Sequence, residues 1–245
     1  MMGSLFKWEL KQTFSSKAFW ITGAALVAIP ALMLAITLKG EGFTGYEAYL
    51  EGLNNYTSFM MFIIGVFAGV HVTGAFEGRK IQAAVMAGNS RIKILLAKFL
   101  SYSAATALFS TVSIAVSTAV AFAMKGTGGI EGTFARSIIG RAAVLAVVEV
   151  AYASACFLSS MYIRHLGGAI GLNLMLMMAL NFAAQTLIEH SWAEKYLRML
   201  PAGQAIFVIA DVSNKNVLMA LSSAVIACIA VLVLSYVKFG KEELK

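Results

Sequence analysis

The chain alternates between long apolar runs and short polar segments, and this pattern sets its architecture. Five runs of 21 to 26 residues contain no Asp, Glu, Lys or Arg, and they cover 18–38, 52–76, 99–124, 166–188 and 216–237. A sixth run, 142–163, is interrupted by a single charged residue, Glu149. Because a helix needs about 20 apolar residues to cross the hydrocarbon core, the pattern predicts six spanning helices. They are placed at about 18–38, 54–76, 94–124, 138–163, 166–188 and 216–237.

The amino-acid composition also indicates a membrane protein. The chain is 60% hydrophobic and only 13% charged, whereas soluble domains carry about 25% charged residues. The fold class predicted is therefore an all-α membrane protein with one transmembrane domain over residues 1–245. Cys156 and Cys228 both fall inside predicted spans, where they are expected to pack as small apolar residues.

The distribution of basic residues predicts the orientation. With both termini in the cytoplasm, the inner segments hold twelve Lys and Arg residues and the outer segments hold seven. This bias agrees with the tendency of basic residues to stay on the cytoplasmic side. The net charge of +7 is thus accounted for by topology, and we expect no nucleic-acid partner.

Two amphipathic segments flank the spans. Residues 5–17 repeat apolar side chains at Phe6, Leu10 and Phe14, which predicts a short helix lying in the membrane interface. Between the fifth and sixth spans, Pro201 precedes an apolar stretch, 204–210, that is too short to cross. This stretch is expected to form a re-entrant or interfacial element.

The segment 76–98 joins the second and third spans and carries five basic residues against one acid, Glu77. A short surface helix is predicted here, with Ile81, Ala84 and Val85 on one face. Gly88-Asn89 would end it, since glycine adopts the left-handed cap conformation readily, and Ser90 would cap the next helix. Such a segment would bind either anionic lipid or a soluble partner.

The motifs of several enzyme classes are missing from this sequence. It contains no G-x-x-x-x-G-K-[ST] phosphate loop and no H-E-x-x-H pair, and its three histidines are scattered. We therefore expect no catalytic residue, no metal site and no cofactor bound by this chain.

Polar residues inside the spans are the remaining candidates for chemistry. Glu149 would be protonated, paired with a basic residue near the outer face, exposed to a wet cavity, or hydrogen-bonded to another helix. Asn173, Asn181 and Gln185 share a helical face and would either join helices or line a substrate path. Gly65 and Gly69 form a small-residue pattern that permits close helix contact, including contact between two copies of the chain.

Taken together, these segments resemble a known family. The N-terminal helix ends in Ser15-Ser16-Lys17-Ala18-Phe19-Trp20, Glu77, Gly78 and Lys80 follow the second span, and Ser90-Arg91 and Lys98 lead into the third. With the short element after Pro201, their order resembles type-2 permease subunits of bacterial ATP-binding-cassette exporters. That family usually has a proline before the Ser-Arg pair, where this chain has Gly88-Asn89.

The resemblance implies a partner and a mechanism. Two copies of the permease would pair in the bacterial cytoplasmic membrane, and two separate ATPase subunits, binding ATP and Mg²⁺, would dock on the inner face. The coupling segment, 77–91, would receive the ATPase movement. The residues implicated are Glu77, Gly78, Arg79, Lys80, Ser90 and Arg91. The substrates implied are hydrophobic or amphipathic molecules, above all peptides, exported as toxins or antimicrobial peptides or for self-protection.

Two other functions remain open from the sequence. Glu149 would suit an ion-coupled secondary transporter, although the inverted repeats common in such folds are not evident. The chain could also be a membrane scaffold that transports nothing.

Overall fold

The computed structural model of the chain describes residues 2–40, 42–78, 80–129, 133 and 135–240. It is 87% helix, and the described residues include no strand. Within the described residues there are two π-helical segments, Gly69–Thr73 between two α-helices and Ala135–Gly140 directly before another. In the described part of the chain the α-helices are α1 Met2–Phe14, α2 Lys17–Thr37, α3 Gly45–Ala68, α4 Gly74–Glu77, α5 Lys80–Met86, α6 Arg91–Lys125, α7 Arg141–Tyr162, α8 Leu166–Leu187, α9 Ser191–Leu197, α10 Pro201–Ala210 and α11 Asn214–Gly240.

Six helical stretches within these residues are long and apolar enough to cross a membrane. They are Lys17–Thr37, Gly45–Glu77, Arg91–Lys125, Ser137–Tyr162, Leu166–Leu187 and Asn214–Gly240. The second continues from α3 through the first π segment into α4. The prediction of six apolar helices is confirmed, and the chain is a multi-pass membrane protein.

The second span begins nine residues before its predicted start, at Gly45 instead of 54. A capping box explains the difference: the Glu47 backbone N–H donates to the Thr44 hydroxyl at 3.3 Å, and the Glu47 carboxylate accepts from the Thr44 N–H at 2.8 Å. Tyr49 and Leu53 are then buried in the bundle. Residues 45–53, which lie outside the predicted span, are therefore the first part of the helix.

Helices α3 and α7 form the centre of the bundle. α7 packs against α3, α6, α8, α10 and α11, and α3 also packs against α2 and α6. Aromatic rings fill the space between α3 and α6, with Phe67 stacked 5.9 Å from Tyr102 and Phe109 edge-on to Phe67. Tyr102 also donates to the backbone oxygen of Ala153 on α7 at 3.0 Å. The central helices are thus held by both packing and hydrogen bonds.

The N-terminal helix α1 packs along the first part of α6. The side chains it buries are not those of the predicted apolar face, because Glu9 and Thr13 are buried whereas Phe14 is 37% exposed. Phe6 and Leu10 are half-buried. The apolar side of α1 therefore remains partly free, and its contact with a membrane surface stays a prediction.

The segment between the fifth and sixth spans contains α9 and α10. α10 has ten residues and is about 15 Å long, so it is too short to cross the core. It packs against α7 and α11, with Gln204 and Val208 fully buried. The chain thus forms a short helix inside the bundle, at the end opposite to α5.

Candidate functional site

The short helix α5 lies between two spans and is held in place by specific turns. Ile81 is buried, and Ala84 and Val85 pack partly against the core, as predicted. Gly88 has a φ of +81°, a conformation that favours glycine, and the Asn89 side chain donates to the Ala84 carbonyl at 3.0 Å. The helix therefore ends at a defined turn rather than in a flexible loop.

The predicted coupling residues Gly78, Lys80 and Ser90 lie at the two ends of α5. Gly78 closes α4 with its N–H on the Gly74 carbonyl at 3.0 Å. Ser90 occupies the N-cap position of α6, although no side-chain capping bond accompanies it. Lys80 is exposed at the start of α5. Arg79 lies outside the described residues.

Glu77 and Arg91 connect the segment to other spans. The Glu77 carboxylate accepts the backbone N–H of Leu166, the first residue of α8, at 2.7 Å. An acid at a helix N-terminus is favoured by the helix dipole. The Arg91 guanidinium donates to the carbonyls of Phe239 and Gly240, at the end of α11, at 2.9 and 3.0 Å. The coupling segment predicted from the sequence is thus bonded to two distant helices.

A groove separates α5 from the N-terminal helix. It has a volume of about 350 Å³. Its lining residues are Leu5, Trp8, Lys80, Ala83, Ala84, Ala87 and Asn89. Trp8 is 47% exposed beside it, and Met86 on the outer side of α5 is 81% exposed. This end of the molecule therefore presents apolar side chains together with lysines.

A buried ion pair fixes α1 to α6, and the sequence patterns did not reveal it. The Lys98 ammonium lies 3.0 Å from the Glu9 carboxylate, and both side chains are 5% exposed. One turn further along α6, Ser101 lies 3.2 Å from the His71 ring in the first π segment. Glu9 and Lys98 carry opposite charges, but 89 positions separate them, so no local sequence pattern pairs them.

Glu149 is in the middle of its span and fully buried. Neither carboxyl oxygen has a hydrogen-bond partner among the described residues. The Thr57 hydroxyl of α3 adjoins it and also lacks a partner. The preceding residue, Tyr56, donates to Ser110 on α6 at 2.7 Å. Among the residues that the structure describes, no basic side chain pairs with Glu149, so that alternative is not supported by the described contacts.

The three amides predicted to share a face are separated by burial. Asn173 is fully buried and donates to the Gly65 carbonyl and to the Ser160 hydroxyl, each at 2.9 Å, and it accepts from Ser159. Gln185 is exposed, and it donates to Asn181 on its own helix at 2.8 Å. Asn173 therefore joins α8 to α3 and α7, whereas the other two do not reach another helix through this bond.

The glycine pair on the second span serves a contact within the chain. A Cβ at Gly65 would lie 3.2 Å from Asn173, and one at Gly69 would lie 2.7 Å from the Ile170 side chain. Both glycines are buried against α8. These positions were predicted to contact a second copy of the chain. In the structure, α8 of the same chain occupies that space.

A wide apolar groove runs between α6, α7 and α11. Its volume is about 970 Å³. Alanines predominate along it, including Ala107, Ala115, Ala146 and Ala224, with Cys228 on α11. Small side chains leave the groove deep, and its chemistry suits hydrocarbon rather than ions. Among the described residues no group of three His, Cys, Asp or Glu could hold a metal ion.

The chain matches a known family model. Residues 19–244 match DUF2705, which is described as a protein of unknown function. No curated protein matches the chain.

Proposed function

Since the chain belongs to the DUF2705 family and carries six helices able to cross a membrane, we propose that it is the permease subunit of a transporter driven by a separate ATPase. Two ATPase subunits, which bind ATP and Mg²⁺, dock on its cytoplasmic side, and two copies of the permease pair in the membrane. The chain itself catalyses no reaction.

The observation that carries this proposal is the position of α5. It is a short helix with an exposed outer side, and both of its flanks are bonded to other spans through Glu77 and Arg91. A helix that only bound lipid would not need these two long-range connections. These two connections make α5 a rigid element through which a soluble partner displaces the spans.

The same contacts indicate how a displacement of α5 is transmitted to the spans. Movement of α5 shifts Glu77 and with it the N-terminus of α8, which Glu77 caps. Movement at the start of α6 shifts Arg91 and the end of α11, where Arg91 holds two carbonyls. Rigid-body displacement of packed helices is an established form of switching. A displacement of α5 thus moves the second, third, fifth and sixth spans together.

The surfaces that these helices present support the proposed substrate class. The groove between α6, α7 and α11 is apolar along most of its lining. Two of its walls are α6 and α11, the helices that Arg91 connects. Hydrophobic or amphipathic molecules, peptides in particular, match such a surface. Export or self-protection against toxic or antimicrobial peptides in a bacterial cytoplasmic membrane is the activity that we propose.

Crosslinking from two methionines tests the ATPase contact. A photoreactive p-benzoyl-phenylalanine replaces Met86 on α5, which is 81% exposed, in cells of the native host. The matched control carries it at Met199, which is 68% exposed at the opposite end of the bundle. We expect position 86 to capture a polypeptide with a G-x-x-x-x-G-K-[ST] phosphate loop and position 199 to capture none.

Purification of that complex completes the test. The captured polypeptide should hydrolyse ATP, and its rate should change when the permease is reconstituted with it in vesicles. Capture of no ATPase from position 86, or equal capture from both positions, would overturn the proposal.

A further inference from the structure

Glu149 is buried inside the bundle and has no counter-charge among the described residues. Glu149 lies twelve residues after Ser137 and thirteen before Tyr162, the ends of its span. At 1.5 Å per residue it is about 18–20 Å from either end, which is near the centre of the membrane. It is fully buried, and both carboxyl oxygens lack a hydrogen-bond partner among the described residues.

Among the described residues the buried basic side chains are Lys98 and Arg141, and neither pairs with Glu149. Lys98 is paired with Glu9 at 3.0 Å, and Arg141 donates to the Tyr46 hydroxyl at 2.6 Å. Arg141 is also eight positions away on the same helix, about 12 Å along its axis. Among the side chains that the structure describes, none therefore neutralises Glu149.

The titratable groups near mid-span on the surrounding helices are neutral phenols and thiols. They are Tyr56 on α3, Tyr102 on α6, Tyr152 and Cys156 on α7, and Cys228 on α11. Helices α8 and α10 carry no titratable side chain. The phenols have partners of their own: Tyr56 donates to Ser110, Tyr102 to Ala153 and Tyr152 to Met177. None of these donors is directed to Glu149.

An isolated carboxylate at this depth costs several kcal/mol. Neutralisation by a metal ion would need about six oxygen ligands for a hard cation. The described neighbours supply the two carboxyl oxygens and the Thr57 hydroxyl. A protonated carboxyl group needs only one hydrogen-bond acceptor for its O–H, and the Thr57 hydroxyl provides it.

We propose that Glu149 is a proton-binding site at the centre of the membrane. The bound proton makes the side chain a neutral carboxylic acid that donates to Thr57 and so joins α7 to α3. Release transfers the proton to water and leaves a carboxylate between packed helices. The charged form then draws water between α3 and α7, so the packed bundle requires the proton. This site does not depend on any soluble partner.

Infrared spectroscopy of the whole chain in lipid nanodiscs tests the site directly. At neutral pH we expect the carbonyl stretch of a protonated carboxylic acid, with a shift in D₂O. Glu149→Gln should remove that band. The matched control, Glu51→Gln near the start of α3, should leave the band in place.

A second variant keeps the test decisive if Glu149→Gln does not fold. Thr57→Val removes the acceptor, so the band should persist in this variant at a shifted frequency. A wild-type spectrum with no protonated-acid band would overturn the proposal. So would a carboxylate band, lost in Glu149→Gln, that changes when sodium replaces potassium, because that would identify a metal cation at the site.

Discussion

Glu9 and Glu149 are both buried glutamates, yet their surroundings are opposite. Glu9 lies near one end of the bundle and is paired with Lys98 at 3.0 Å. Glu149 lies at the centre and has no partner among the described residues. The paired acid is a structural link between α1 and α6. The unpaired acid remains open to chemistry, because its charge can change without breaking an ion pair.

The largest expected effect comes from making the same substitution at both acids. Glu9→Gln should lower the free energy of unfolding by about 3–5 kcal/mol, because Lys98 is left buried without a counter-charge. Glu149→Gln should change it by no more than about 1 kcal/mol, since a neutral side chain replaces a neutral one. Reversible unfolding in mixed micelles measures both.

The control for this pair removes the lysine's charge as well. Glu9→Leu with Lys98→Met should recover most of the stability lost in Glu9→Gln, because hydrophobic residues often replace a buried pair at little cost. Equal losses for the two single glutamine variants would show that the two acids do not differ in the way described.

A smaller effect is expected for a buried polar side chain that has partners but no charge. Asn173→Ala removes the bonds to Gly65, Ser160 and Ser159. We expect a loss of about 1–3 kcal/mol, because the Gly65 carbonyl and a serine are left buried without this partner. Asn181→Ala on the same helix is the matched control and should cost within about 0.5 kcal/mol. A larger loss for Asn181 would mean that burial does not separate the two amides.

The smallest effect on stability is expected at an exposed acid. Glu77→Ala removes one capping bond to Leu166, and such bonds contribute about 0.5–2 kcal/mol. We expect a value at the lower end of that range, because the Glu77 side chain faces solvent. A loss as large as that of Glu9→Gln would make Glu77 a folding residue rather than a connection between helices.

The parts of the fold with local signals could be predicted from the sequence. Uninterrupted apolar runs indicated the spans, and Gly88 marked the end of α5 because its φ of +81° favours glycine. The early start of α3 also had a local signal, the Thr44 and Glu47 capping box, which polarity alone obscured. These features depend on neighbouring residues.

The contacts that define the candidate sites depend on distant residues. Glu9 and Lys98 are 89 positions apart, and Asn173 reaches Gly65 across 108 positions. Apolar and polar patterning places a residue on a helix and does not identify its partner. Gly65 and Gly69 illustrate this, since the small-residue pattern indicated a close helix contact but could not show that α8 makes it.

The most direct test of the proposed function is the amount of peptide moved for each ATP hydrolysed. Vesicles would contain the permease and the ATPase captured from position 86, with a fluorescent amphipathic peptide as the probe. Glu77→Ala should leave the complex assembled and hydrolysing ATP but lower this ratio by about tenfold or more, while Glu189→Ala, at an exposed position at the other end, should leave it unchanged. A ratio in Glu77→Ala equal to that of the wild type would contradict the account.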